Sequence, residues 1–275
     1  MLAAAFNDYT VVLGVDDGHL EHFQHVIPNW KKYKPSLFNQ PWLIFYDAYG
    51  KINSSKIYEI LEQADAMPSR ICLIHWPTDG VTAYETVDGI GRFGNSQRYK
   101  MLAGFVHVPA RYVATNYWLK LDLDAVATGE DQWIDPSWFE DHPAIVAHPW
   151  GYTKPANQMS LLDAWVQENA VDLPPRIAMT LPLNLHYTEG ASAVSHSRVI
   201  SWCGFFRSSF TRECSKWAED TCGTGKLPVP SQDGFMWYCA ERMRLPIVRA
   251  RMKHRGWKHC SNLQVVKESV EGLNA

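Results

Sequence analysis

The chain has 275 residues, 46% of them hydrophobic and 20% charged, with a formal net charge of -3. That length can bury a full core, and the mild acidity excludes nucleic-acid binding through overall charge, though not through a local basic patch. No apolar run approaches the ~18 residues of a membrane span, and Met1 to Phe6 is too short for a signal h-region, so a cytoplasmic location is expected.

Six cysteines (Cys72, Cys203, Cys214, Cys222, Cys239 and Cys260) are widely spaced, without a C-x-x-C pair. They suit a reducing compartment better than a zinc site or a disulfide framework. The 12 Trp and 12 Tyr are many for this length. Such residues line carbohydrate and nucleotide sites, but they serve cores and interfaces equally well.

Taken in order, Tyr9 to Val15 is a β-branched run that ends in Asp16-Asp17-Gly18, a strand followed by a turn. His19 to Tyr33 carries Leu20, Phe23, Ile27 and Trp30 near helical spacing, with Pro28 expected to shorten or kink it. Trp42 to Tyr46 is a second strand, Ser54 starts a helix with Ile57, Ile60 and Leu61 on one face, and Ile71 to Trp76 is a third strand. Strands alternating with helices at this pace predict a mainly parallel, doubly wound α/β sheet. From Thr78 to Asn95 the sequence is glycine-rich and irregular, and Ser96 to Val108 is helical in pattern, bringing Arg98 and Lys100. Asp135 starts a short helix, and Ala144 to Ala147 begins a further strand. A helix is expected from Ser160 to Asn169, a β segment from Val199 to Phe206, and a loop from Cys222 to Pro230. Ser231-Gln232-Asp233-Gly234 precedes an apolar helix over Phe235 to Met243, and a short strand begins at Leu245.

The stretch with the most chemistry is Tyr117 to Ala127, YWLKLDLDAVA. In an extended chain residues i and i+2 face one way, so Asp122 and Asp124 are expected on one side and Leu121 and Leu123 on the other. Two adjacent carboxylates repel and are costly to bury unless a positive charge sits between them. A hard divalent cation with positions left open for phosphate oxygens is a natural occupant. A solvated turn after a strand is the plainer alternative, but the apolar residues on both sides leave little room for one.

This arrangement resembles a GT-A-fold, nucleotide-sugar-dependent glycosyltransferase with a DxD motif. The carrying residues are the first strand ending at Asp16-Asp17, the alternating units up to Trp76, and Arg98 and Lys100 before the central strand. Leu121-Asp122-Leu123-Asp124 follows, then the apolar Trp202-Cys203-Gly204-Phe205-Phe206, then Gln232-Asp233-Gly234 opening a late helix. The likeness covers most of residues 9 to 260 as an order of elements, not as a close sequence match. It implies one GT-A-like domain over residues 1–275, with a Rossmann-like, nucleotide-sugar-binding half at about 9–124 and an acceptor half at about 125–260. It also implies Mn2+ (or Mg2+) on Asp124, with Asp122 nearer the ribose or reaching the metal through water. A late histidine is a further ligand in such enzymes; His259 and His254 are the candidates, His259 first. The implied donor is a nucleoside diphosphate sugar, a UDP-sugar by family frequency. The implied acceptor carries a free hydroxyl on a saccharide or glycoconjugate, with a nucleic-acid acceptor left open.

An inverting transferase needs a carboxylate to take the acceptor proton, and Asp233 is placed for that; as a helix N-cap it would serve structure equally. Asp16 and Asp17 stand where α/β folds bind nucleotides, and strand-end aspartates are also common turn formers. Arg98 and Lys100 either pair with the diphosphate or are plain surface charges. Two rivals remain from the sequence. One is a haloacid-dehalogenase-type phosphatase with Asp122 as nucleophile, against which stand Lys120 in the preceding strand and the absence of a late Asp-Asp pair. The other is a non-catalytic carbohydrate-binding protein.

Overall fold

The computed structural model describes residues 8–46, 52–76, 84–85, 97–149, 167, 186–188, 199–221, 227–228 and 232–274. Its frame is an eight-stranded sheet built on the apolar runs of the sequence. In chain order these are β1 (Tyr9–Val15), β2 (Pro41–Tyr46), β3 (Arg70–His75), β5 (Tyr117–Leu121), β7 (Ile145–Pro149), β8 (His186–Thr188), β9 (Val199–Arg207) and β11 (Ile247–Arg249). Four short strands stand outside it: β4 (Tyr84–Glu85), β6 (Ala125–Ala127), β10 (Leu227–Pro228) and β12 (Trp257–His259), paired as β4 with β10 and β6 with β12.

The order across the large sheet is β3-β2-β1-β5-β9-β7-β11-β8. Neighbours run parallel except at β9, which is antiparallel to both β5 and β7. The chain builds outward from β1 through β2 to β3, then crosses back to place β5 on the other flank of β1. The strand order therefore reverses between β1 and β5, and their carboxyl ends border the crevice where open α/β sheets take ligands.

Side chains alternate across the pleat, so the sheet feeds two cores. Val11, Leu13 and Val15 of β1 join Leu119 and Leu121 of β5 against Phe23 and Trp30 of α1 (Leu20–Tyr33), Ile57 and Leu61 of α2 (Ser54–Gln63), and Val266 of α6 (Leu263–Asn274). Val12 and Trp118 face the other way. They meet Phe105 and Val106 of α3 (Gln97–Tyr112), Phe210 and Cys214 of α4 (Ser208–Thr221), and Phe235 and Tyr238 of α5 (Gln232–Arg242). Each such fully buried side chain contributes about 1.5–3 kcal/mol relative to exposure. Helices on both faces and a mostly parallel sheet agree with the sequence expectation, with β9 the reversed strand of the large sheet.

Several local expectations shift. α1 continues through Pro28 to Tyr33 instead of stopping there. α2 starts at Ser54 as expected, and the residue before it, Asn53, is the cap, its side chain accepting from the Lys56 amide at 3.0 Å. Asp135 does cap a turn, a single 3-10 turn at Pro136–Phe139. Apart from Gln167, which is helical, the expected helix over Ser160 to Asn169 lies outside the described residues, as does nearly all of the glycine-rich stretch from Thr78 to Asn95. α3 approaches the sheet closely through Gly104, where a Cβ would come within 2.5 Å of the Phe45 ring.

His107, within α3, is fully buried with its Nδ1 at 2.9 Å from Ser215 Oγ of α4. Burial pushes its pKa down to about 4, the charge of Glu219 opposing. The unfolded chain takes up this proton near pH 6.5, so the contribution is intact above that value and is lost as pH falls toward 4. A stability loss of about 2–3 kcal/mol is expected across this window. Denaturant unfolding at pH 7 and pH 4.5 should show the loss in the wild type and a smaller one in His107→Gln.

Candidate metal centre

All five residues of β5 are buried, and the ladder with β9 continues one bond further, from the Asp122 amide to the Trp202 carbonyl at 2.8 Å. The chain then turns: the Ala125 amide donates to the Asp122 carbonyl at 3.0 Å, and β6 begins. Asp122 and Asp124 therefore do not lie on one face of a continuous strand, as the alternation suggests. They flank Leu123 in a tight turn, with that leucine buried beneath them.

Their partner comes from the far end of the chain. β6 pairs antiparallel with β12, setting Ala125 opposite His259, and the Cys260 amide donates to the Asp124 carbonyl at 2.9 Å. This register places His259 Nε2 3.3 Å from Asp124 Oδ2. One ligand atom each from Asp122, Asp124 and His259 lies within 4.8 Å of the others. Asp124 Oδ1 is shut off from solvent with no hydrogen-bond partner among the described residues. A buried carboxylate oxygen left unpaired costs free energy that a cation would recover. The donor set and this oxygen fit a divalent metal.

The electrostatics point the same way. Burial pulls the His259 pKa down, but the hydrogen bond and charge of Asp124, with the charge of Asp122, outweigh it and leave the net shift upward. The ring stacks on buried Trp202 at 5.5 Å and 22°. His148, at the bulge of β7 against β9, approaches the same indole at 5.8 Å. Burial, reinforced by Lys253, pushes the His148 pKa down to about 4, so it is neutral at ordinary pH.

One internal cation already sits beside the cluster. Lys120 is only 3% exposed, with its Nζ 2.6 Å from Asp122 Oδ1 and 4.7 Å from the Phe105 ring centroid. Lys120→Met keeps the volume and removes the charge. The expected cost is about 1–2 kcal/mol, below that of a fully buried pair because Asp122 is partly exposed. With the competing ammonium gone, Mn2+ should raise the melting temperature of this variant more than that of the wild type, as differential scanning fluorimetry would read.

Support for β12 comes from beneath. The buried Lys34 ammonium donates to the carbonyls of Glu130 and Arg255, at 3.3 Å for Arg255, and lies over the Trp257 ring. At the end of β1, Asp16 Oδ1 pairs with His19 Nδ1 at 2.6 Å, and the His19 ring lies 5.2 Å from that of His22. Burial lowers the His22 pKa, followed by repulsion from His19, while Asp124 acts in the opposite direction. The field of Asp124 therefore reaches the first turn of α1.

The remaining sequence candidates are placed as follows. Asp17 is exposed in the turn after β1. Arg98 and Lys100 stand in the first turn of α3, and Asp233 in the first turn of α5; their side chains lie outside the described residues. His254 is exposed in the 3-10 turn Met252–Arg255 and does not join the three-residue cluster. Lys120, His22 and Trp202 were not singled out from the sequence as site residues. Only Lys120, a lone charge in an apolar strand before the aspartates, carried a readable signal.

No protein-family model and no curated protein sequence matches the chain. Solved structures do match by fold. Core-mannan synthase A from Aspergillus fumigatus, in its Mn/GDP form, gives a TM-score of 0.58 at 9% identity, over 90% of this chain and 73% of that one. An active-site mutant of LgtC gives a TM-score of 0.52 at 9% identity, over 86% of this chain and 72% of that one. LgtC with donor and acceptor sugar analogues, described as a galactosyltransferase, gives 0.49 at 10% identity, over 86% and 72%. The fold is that of GT-A glycosyltransferases. No helix among the described residues is long and apolar enough to cross a membrane.

Proposed function

We propose that the chain is a metal-dependent glycosyltransferase that moves a sugar from a nucleoside diphosphate sugar to an acceptor hydroxyl. The observation that carries this reading is the convergence of Asp122, Asp124 and His259 at the carboxyl end of β5, on a GT-A fold. Two carboxylates with one imidazole suit Mn2+ better than Ca2+, which prefers oxygen alone, and Mg2+ is the second choice. Asp124 and His259 would hold the ion directly, with Asp122 completing the set. When bound, the metal neutralises charge on the departing nucleoside diphosphate.

The chain's own groups supply the rest. Asp122, pinned by Lys120, keeps its carboxylate oriented before any ligand arrives. Asp16 and Asp17 border the crevice from the end of β1 and would meet the nucleoside; Arg98 and Lys100 would meet the diphosphate. Asp233 is the base that takes the acceptor proton if configuration inverts, or it holds the sugar if configuration is retained. Residues about 9–124 would then bind the donor and about 125–260 a saccharide or glycoconjugate.

UDP-sugars are the first donors to test. GDP-sugars belong in the same panel, since core-mannan synthase A is described in a Mn/GDP form. Incubation with Mn2+ and each donor should release nucleoside diphosphate, and EDTA should stop it. Phosphate release from a phosphomonoester without any nucleotide sugar would move the reading to the phosphatase, and sugar binding without turnover would move it to a carbohydrate-binding protein.

A further inference from the structure

A cavity of about 640 Å³ opens at the opposite end of the sheet from the aspartates. Strand direction puts it there. β5 enters the sheet at Tyr117 and leaves at Leu121, before Asp122, and β9 runs the other way, so its last residue, Arg207, pairs with Tyr117. The main chain at this corner is tied down by the Arg207 amide to the Ala144 carbonyl at 2.9 Å and the Ser208 amide to the Asn116 carbonyl at 2.8 Å. The 14-residue helix α4 starts at Ser208, so its first two turns border the cavity, through Ser209 in the first and Arg212 in the second.

Two guanidinium groups line this space, and neither has a carboxylate within ion-pair distance among the described residues. Arg207 is half-buried. Its Nη1 donates to the His142 carbonyl at 2.6 Å, and its Nε is closed to solvent without a partner among the described residues. A partly buried cation paired only with a neutral carbonyl is an incompletely compensated charge. The positive end of α4 adds to it. The cavity also holds two carboxylates, Asp8 and Glu213. Asp8 is already engaged, accepting from the Asn116 amide at 3.2 Å and from the Asn116 side chain. Phe139, Tyr117 and Ala114 supply an apolar wall.

We propose that this cavity is a second binding site, distinct from the metal centre, for a small organic carboxylate whose anionic head lies between Arg207 and Arg212 and whose apolar body rests on Phe139 and Tyr117. A single negative charge fits better than a dianion, because Asp8 and Glu213 repel further charge and bring the lining near neutrality. A planar carboxylate also matches the guanidinium fork. The site does not depend on the transferase reading, since none of its residues belongs to that centre.

The test is fluorine NMR on the full chain with para-fluorobenzoate as the probe and inorganic phosphate as the rival. Saturable line broadening is expected with the wild type and with Asp124→Ala alike. Arg207→Gln should weaken binding by about tenfold and Arg212→Gln by about threefold, the losses expected for charge-assisted hydrogen bonds. Arg212 is exposed on α4, so its variant folds even if Arg207→Gln does not. Absence of saturable binding in the wild type would overturn the proposal, as would Arg212→Gln and any folded Arg207→Gln binding as the wild type does. Tighter binding of phosphate than of para-fluorobenzoate at the same arginine-dependent site would overturn the carboxylate assignment.

Discussion

Asp124→Ala should abolish saturable Mn2+ binding and slow nucleoside diphosphate release by about 10²- to 10³-fold, equivalent to about 3–4 kcal/mol of lost charge stabilisation. The size follows from what this carboxylate does. It meets His259 through Oδ2 and leaves Oδ1 buried without a partner among the described residues, so it is the residue with the most to gain from a cation. Asp122 differs in having Lys120 at 2.6 Å, which satisfies part of its charge with or without metal. Asp122→Asn should therefore weaken binding less than Asp124→Ala. Isothermal titration with Mn2+ alone separates metal loss from catalytic loss. Mn2+ binding that survives Asp124→Ala would remove the centre from this turn, whatever the activity does. The main chain gives little reason to expect misfolding, because the Asp124 backbone is held by its carbonyl bond from the Cys260 amide.

The first half of the sheet was legible because its strands are apolar runs, and β1, β2 and β3 also pair in chain order, each one crossover from the next. YTVVLGV, PWLIFY and YWLKL announce β1, β2 and β5 by content alone. The reversal of β9 was not legible, since strand direction depends on a connection and not on the residues of the strand. β6 and β12 have three residues each, too few to show a period, and they pair across more than 120 residues. That pairing sets His259, the first of the two histidine candidates, beside Asp124 and leaves His254 out of the cluster; the sequence offered both because a three-residue strand gives no local sign of its partner. The turn at Asp122 to Ala125 had a local cue in the turn preference of aspartate. Strong apolar flanks overrode that cue in the reading, because they pointed to a strand. α4 hid for a different reason: Phe210, Cys214, Trp217 and Ala218 follow helical spacing, but Ser, Thr and Cys dilute the pattern.

The second large effect is expected where β12 is launched. Gly256 follows the 3-10 turn Met252–Arg255 with φ +76°, and its carbonyl accepts from the Thr128 amide at 2.9 Å. A Cβ on Gly256 would lie 2.7 Å from the Gly129 Cα and 2.9 Å from the Gly129 nitrogen, both backbone atoms that cannot rotate away. Gly256→Ala therefore combines left-handed strain of about 1–2 kcal/mol with the separation of two packed main chains, about 1–3 kcal/mol. The expected loss is about 2–5 kcal/mol, lowering the melting temperature by about 4 °C or more. The consequence reaches the site, because the register of β12 on β6 is what sets His259 beside Asp124. In the folded variant Mn2+ affinity should fall along with stability. Gly272→Ala in α6 is the matched control: nothing lies within 4 Å of its Cβ, and alanine favours the helix, so a gain of about 0.5–1 kcal/mol is expected. Thermal melts of the two variants with and without Mn2+ decide the matter. If Gly256→Ala melts like the wild type and keeps its Mn2+ shift, the close crossing at Gly129 is not what holds His259 in place.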